Sequence, residues 1–144
     1  MDSFAALNRI LRQEHIIIDK YQQYIDSLPQ SPLRNHLVAM LGHHKEHANR
    51  MSYFIQTNGG HVTEGSGLFG LWETWRFRFT HLGENEPLNM LNELYGRESK
   101  ALGLAREIAV QDLCGSEQEM LAPMWADDES HLQQLKRLQE DLLN

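Results

Sequence analysis

The chain has 144 residues, with 13 Lys+Arg against 20 Asp+Glu and a formal net charge of −7 at pH 7. That length fits one domain with a real core, and the acidic balance argues against nucleic-acid binding, which needs a basic face for phosphates. A single cysteine, Cys114, excludes an internal disulfide framework. No run approaches the ~18 apolar residues of a membrane helix, and the start, Met1-Asp2-Ser3-Phe4, lacks the basic region of a secretory signal, so a cytoplasmic location is expected.

Ser3 is predicted to cap a first helix that runs to about Ser27. Its apolar row, at alternating three- and four-residue steps, is Phe4, Leu7, Leu11, Glu14, Ile18, Tyr21 and Ile25. Ser31 caps a second helix with Pro32 at its first position, and Asn58-Gly59-Gly60 stops it after about Thr57. Its row is Leu37, Met40, His44, His47, Met51 and Phe54. A glycine-rich loop follows, then a shorter amphipathic segment, roughly 67–81, with Leu68, Leu71, Trp72, Trp75 and Phe79 at helical spacing. It reads as a crossover helix, because two helices that lie parallel need a long return path.

Asn85 or Glu86 caps the third long helix, with Pro87 near its start and an end near Leu113. Its row is Leu88, Leu91, Tyr95, Glu98, Leu102, Ala105 and Ala109. After the break at Cys114-Gly115, Ser116 with Glu119 matches a capping box for the last helix, which runs to about Leu143 and which Pro123 should kink. Its row is Leu121, Met124, Asp128, His131, Leu135, Leu138 and Leu142. No alternating strand pattern or Asn-Gly hairpin appears. The expected architecture is one all-α domain over 1–144, an antiparallel four-helix bundle with a short crossover helix between helices two and three, about 40 Å long at ~1.5 Å per residue.

Each row is apolar except at its middle, where it carries Glu14, His44 with His47, Glu98, and Asp128 with His131. Six ionisable groups in a core need a strong compensating partner, and a metal centre is the simplest one. The spacing repeats. Glu14 and His44 are 30 residues apart, as are Glu98 and Asp128, and a histidine follows three residues on in both cases. An offset of 84 residues maps one half onto the other and also maps Leu7 onto Leu91, Leu37 onto Leu121 and Met40 onto Met124. Such a duplicated helix pair would place two equivalent ligand sets around a pseudo-two-fold axis. Residues three apart on a helix share a face. One carboxylate from each of two helices, plus a carboxylate-x-x-His pair from each of the other two, is the arrangement for two metals about 3.5–4 Å apart in a bundle core.

Blander readings stand beside this one. Glu14 and Glu98 could form buried salt bridges, and the histidines could hydrogen-bond to them without metal. His43 shares a face with His47 but lies off the row, and Asp127 or Glu129 could replace Asp128 if the helix turns at Pro123. Tyr95, one turn before Glu98, is a candidate redox-active or hydrogen-bonding neighbour, and Tyr21 is similar. The aromatic residues of the crossover segment are read as packing on the bundle.

With these residues in place, the chain resembles the ferritin-like superfamily of di-iron carboxylate proteins, which includes rubrerythrin, bacterioferritin and the ubiquinone-biosynthesis hydroxylases. It is most similar to small stand-alone bacterial members of unassigned function, which share a Gly-Gly turn after helix two (Gly59-Gly60) and a short Trp-containing helix before helix three (Trp72 to Trp75). The resemblance implies two bound irons and chemistry with dioxygen or peroxide on iron or a small substrate. Zinc or manganese is the alternative metal, and a homodimer is the default assembly. The superfamily pattern has Glu where this chain has His44, so three carboxylates meet three imidazoles here. That set also admits a mononuclear site or a non-catalytic metal-binding bundle.

Overall fold

The computed structural model describes residues 2–63 and 87–144. Four long helices make up nearly all of it: α1 (Ser3–Ser27), α2 (Pro32–Thr57), α3 (Pro87–Asp112) and α4 (Gly115–Leu143). No strand occurs among the described residues, and no helix there is long and apolar enough to cross a membrane. Helix α1 packs against α2 and α3, and α4 packs against α3 and, more sparsely, against α2. The expected crossover helix and the caps at Asn85 or Glu86 lie outside the described residues, as do Trp72 and Trp75.

The helix ends follow local chemistry. The cap of α1 is Asp2, not Ser3: its carboxylate accepts from the Ala5 backbone N–H at 2.8 Å, a negative group at the positive end of the helix. Ser31 caps α2 through a bond from the Arg34 N–H, with Pro32 in the first turn, as the sequence indicates. Helix α2 stops where Gly59 adopts φ 91°, a conformation that favours glycine, and the Gly60 N–H donates to the Ile55 carbonyl at 2.8 Å. A side chain at Gly60 would collide with the Phe4 ring. Helix α4 is capped by Cys114 and Glu117 rather than by Ser116 and Glu119: the Glu117 carboxylate accepts from the Cys114 backbone N–H at 3.1 Å. Helical structure then continues through Pro123 without a break.

The buried residues form two apolar clusters, and every helix contributes to both. One holds Leu7, Leu11, Met51, Ile55, Ile108, Leu121 and Met124 among others. The second holds Tyr21, Tyr24, Leu37, Met40, Leu91, Leu94 and Leu135 among others. Each fully buried leucine contributes roughly 1.5–3 kcal/mol. At the far end of the first cluster, Asn8 donates to the carbonyls of Phe4 and His61 and accepts from the Thr63 N–H, tying the exit of α2 to α1. In the second, Glu93 on α3 accepts from the Tyr24 hydroxyl and pairs with Lys20 at 2.8 Å. Along all four helices, the interval between the two clusters is where the polar residues of the rows sit.

Candidate metal centre

Six side chains from four helices converge between the clusters: Glu14 from α1, His44 and His47 from α2, Glu98 from α3, and Asp128 and His131 from α4. They form two groups that share His44. In one, ligand-type atoms of His44, Glu98, Asp128 and His131 lie within 4.8 Å of one another; in the other, those of Glu14, His44 and His47 do. All are buried except Asp128, whose side chain is 14 % exposed. The seam arithmetic thus marks the six residues that the fold gathers.

His44 is the hub. Its Nδ1 donates to Glu14 Oε1 at 2.5 Å and its Nε2 donates to Glu98 Oε1. A carboxylate can only accept, so both ring nitrogens carry protons and the ring is an imidazolium. Burial alone would lower its pKa, but the two carboxylates outweigh that and raise it to about 10. The reciprocal effect acts on Glu14, where burial works upward but His44 and His47 bring the carboxyl down to about 2. Glu98 is likewise lowered, against its burial, by His131 and His44.

Asp128 is different. Burial, with the charge of Glu14 beside it, pushes its pKa up to about 7. Its Oδ1 lies 3.9 Å from His44 Nδ1, 3.9 Å from His131 Nδ1 and 3.8 Å from His47 Nδ1. Among the described residues that oxygen is buried without a hydrogen-bond partner, and so is His47 Nδ1, which lies 3.4 Å from Glu14 Oε1 without making a hydrogen bond.

The outer ring nitrogens explain the inner ones. His47 Nε2 donates to Asp127 Oδ2 at 2.8 Å, which turns Nδ1 inward. Burial disfavours the charged form of His47, but Glu14 and Asp127 together raise its pKa. His131 Nδ1 donates to Glu98 Oε1 at 3.0 Å, and its Nε2 meets His43 Nδ1 at 2.8 Å, the two rings nearly parallel at 6°. His43 and Asp127 are exposed residues outside the rows, and both sit directly behind a seam histidine. They too are 84 residues apart, so the same offset that relates the inner residues also relates their outer partners. That offset was the signal that could have found them.

The hydroxyl at the centre belongs to Tyr21. It donates to Glu98 Oε2 at 2.8 Å and lies 3.5 Å from Met40 Sδ. Burial, then the charge of Glu98, pushes its pKa far up and fixes it as a donor. Tyr95 is half-buried against the second cluster and makes no hydrogen bond to the centre among the described residues.

Protein-family models, curated proteins and solved structures were compared with this chain, and none matches it. What can be said of the centre therefore rests on its own geometry. Four packed helices with a buried carboxylate and histidine layer are compatible with a ferritin-like bundle, and the layer's donors could hold a metal ion. The donor chemistry fits one: imidazole and carboxylate suit iron, zinc and manganese, and the two unpartnered atoms are those that a cation would satisfy.

Proposed function

We propose that this chain is a metal-binding bundle of the ferritin-like type whose central layer holds iron for chemistry with oxygen or peroxide. The observation that carries the reading is the pair Asp128 Oδ1 and His47 Nδ1, buried 3.8 Å apart with no hydrogen-bond partner. Leaving a buried carboxylate oxygen unpaired is costly. Metal–ligand bonds of about 2.1 Å span such a gap and satisfy both atoms at once. In this reading α1–α2 and α3–α4 are antiparallel pairs, as links of residues 28–31 and 113–114 between side-by-side helices require, and a crossover joins the pairs.

When bound, iron would supply the electrons and the open coordination positions. The protein's own groups do the rest. Glu14 and Glu98 carry the negative charge. Tyr21 holds Glu98 by Oε2 so that Oε1 stays turned to the centre. Asp127 orients His47, and His43 backs His131. His44 limits the arrangement. Both of its nitrogens are taken, one by Glu14 and one by Glu98, so ligation through either would part it from a carboxylate. Binding through either nitrogen must also displace a proton.

The test is elemental analysis of protein purified without chelator, set against a Glu14→Ala, Glu98→Ala double variant. The expected result is stoichiometric metal in the natural chain and its loss in the variant. Two irons per chain favour the dinuclear form, and one zinc favours a mononuclear, non-catalytic one. Equal metal content in both proteins would falsify the ligand assignment. A second reading is favoured by the Glu14–His44–Glu98 ion triad itself, which satisfies three buried charges with no metal and could serve only to fix helix register. It requires metal-free protein whose melting temperature ignores added iron or zinc.

A further inference from the structure

Two kinds of spacing divide the six central side chains. Atoms that bond one ion at about 2.1 Å stand roughly 3.0 Å apart at a right angle and roughly 3.4 Å apart at the tetrahedral angle. His47 Nδ1 is 3.4 Å from Glu14 Oε1 and 3.8 Å from Asp128 Oδ1, and among the described residues it makes a hydrogen bond to neither. His44 Nδ1 is 2.5 Å from Glu14 Oε1, a hydrogen-bond spacing too close for two ligands of one ion, and its Nε2 is bonded to Glu98 Oε1. Glu98 is held further by Tyr21 and His131. A cation beside His47 therefore satisfies atoms that lack partners, whereas one beside Glu98 must first break charge-assisted hydrogen bonds.

We propose, resting on the metal reading above, that the centre takes one divalent cation per chain, ligated by Glu14, His47 and Asp128, and that the His44 ring fills the place of a second ion by bridging Glu14 and Glu98. A carboxylate has about four acceptor sites, so Glu14 keeps its bond to His44 while it ligates. The charges agree with this count. Glu14, Glu98 and Asp128 bring three negative charges as carboxylates, and the doubly donating His44 ring brings one positive charge. One divalent cation neutralises that layer, and a second would leave it positive. Asp127 holds His47 by Nε2 and so turns Nδ1 inward, a support that ligating histidines commonly have. A cavity of about 20 Å³ borders Glu14 and Asp128, with Gln13 also in its wall, and has room for one water as a fourth ligand. One imidazole, two carboxylates and a water suit zinc, ferrous iron or manganese.

The experiment titrates the full-length, metal-free chain with zinc. Calorimetry counts the ions, and NMR of nitrogen-labelled histidine reads the ring nitrogens. One ion per chain is expected. His47 Nδ1 should shift as a zinc ligand, and both ring N–H groups of His44 should persist at saturation. His47→Gln should lose saturable zinc binding. His44→Glu removes the bridge, adds a fourth carboxylate and should raise the count to two. Where a variant fails to fold, the count and the histidine spectra of the natural chain decide. Two ions in the natural chain, loss of either His44 ring N–H on binding, or an unshifted His47 Nδ1 overturns the proposal and leaves the metal reading standing. A folded His47→Gln that still binds zinc, or a folded His44→Glu that still takes one ion, does the same. A natural chain that binds no zinc, ferrous iron or manganese sinks both.

Discussion

The α1–α2 and α3–α4 halves present nearly the same side chains to the centre, yet one substitution between them decides the electrostatics. Glu14 corresponds to Glu98, His47 to His131, and the outer residue His43 to Asp127. The remaining pair is His44 and Asp128. His44 binds both glutamates and is held protonated, whereas Asp128 has an unpartnered oxygen and a pKa pushed up to about 7. A symmetric site with Glu at both positions would carry four carboxylates and need two cations. This one carries its own cation on α2 and leaves its unmet demand on α4. The pseudo-symmetry thus places the groups, and its breach gives each half a different task.

Breaking the shared layer should show the largest effect. Glu98→Ala removes the acceptor for His44, His131 and Tyr21 together. It leaves a buried imidazolium with one carboxylate fewer, and stripping one partner from a buried ion pair costs about 3–5 kcal/mol. Glu14→Ala removes fewer partners and should cost less. Urea denaturation of the two metal-free variants checks the order, and equal losses would mean that the halves share the load evenly.

The pH dependence of unfolding sharpens the same contrast. The Glu14 carboxyl falls from 4.5 to about 2 in the fold, so its stabilisation is present above pH 4.5 and is lost as pH falls through about 2. His44 rises from 6.5 to about 10, so its contribution is complete below pH 6.5 and is lost as pH climbs through about 10. Asp128 rises from 3.8 to about 7, and the fold therefore loses stability as pH increases across that interval. Metal-free protein should melt highest in mildly acidic solution and decline toward alkaline pH. Added zinc should raise the melting temperature more at pH 8 than at pH 6, because ligation displaces protons. A gain that shrinks with pH would count against ligation by these histidines.

Tyr21→Phe tests the other breach of symmetry. It leaves Glu98 Oε2 buried without its donor, at a cost of about 1–3 kcal/mol, with little change in shape. The 84-residue offset carries Tyr21 to Ala105 in the other half, where Ala105→Tyr must force a ring into a buried site with about 20 Å³ to spare and should cost more. Paired melting curves give the comparison directly.

These halves also show what the amino-acid pattern can convey. Helix number, length and the six-residue layer were legible because a residue on an amphipathic row has a defined direction, toward the core, whatever its chemistry. That is why Glu14 and Glu98 stood out among leucines. Direction along the row is a weaker signal: it singles out Tyr95, whereas the hydroxyl that bonds to Glu98 belongs to Tyr21. The caps shifted by a residue or two at Asp2 and at Cys114 with Glu117, because several polar residues there can each supply an acceptor. The sequence offers His43 and Asp127 only as replacements for inner residues. A partner that reaches the outward nitrogen of a histidine lies off the row by construction, and periodicity cannot see it.

The outer pair offers the finest test. Asp127 accepts from His47 Nε2, while His43 faces His131, whose inner nitrogen donates to Glu98. The raised pKa of His47 makes protons compete with a metal for its inner nitrogen. Asp127→Asn should weaken metal binding by about tenfold, at the low end for an outer partner of a ligating histidine. His43→Ala should weaken it less, because an imidazole behind His131 supports a ligand less than the carboxylate behind His47 does. Equilibrium titration of the two variants with zinc gives the comparison. If both change affinity alike, the two histidines are equivalent, and the asymmetry ends at His44 and Asp128.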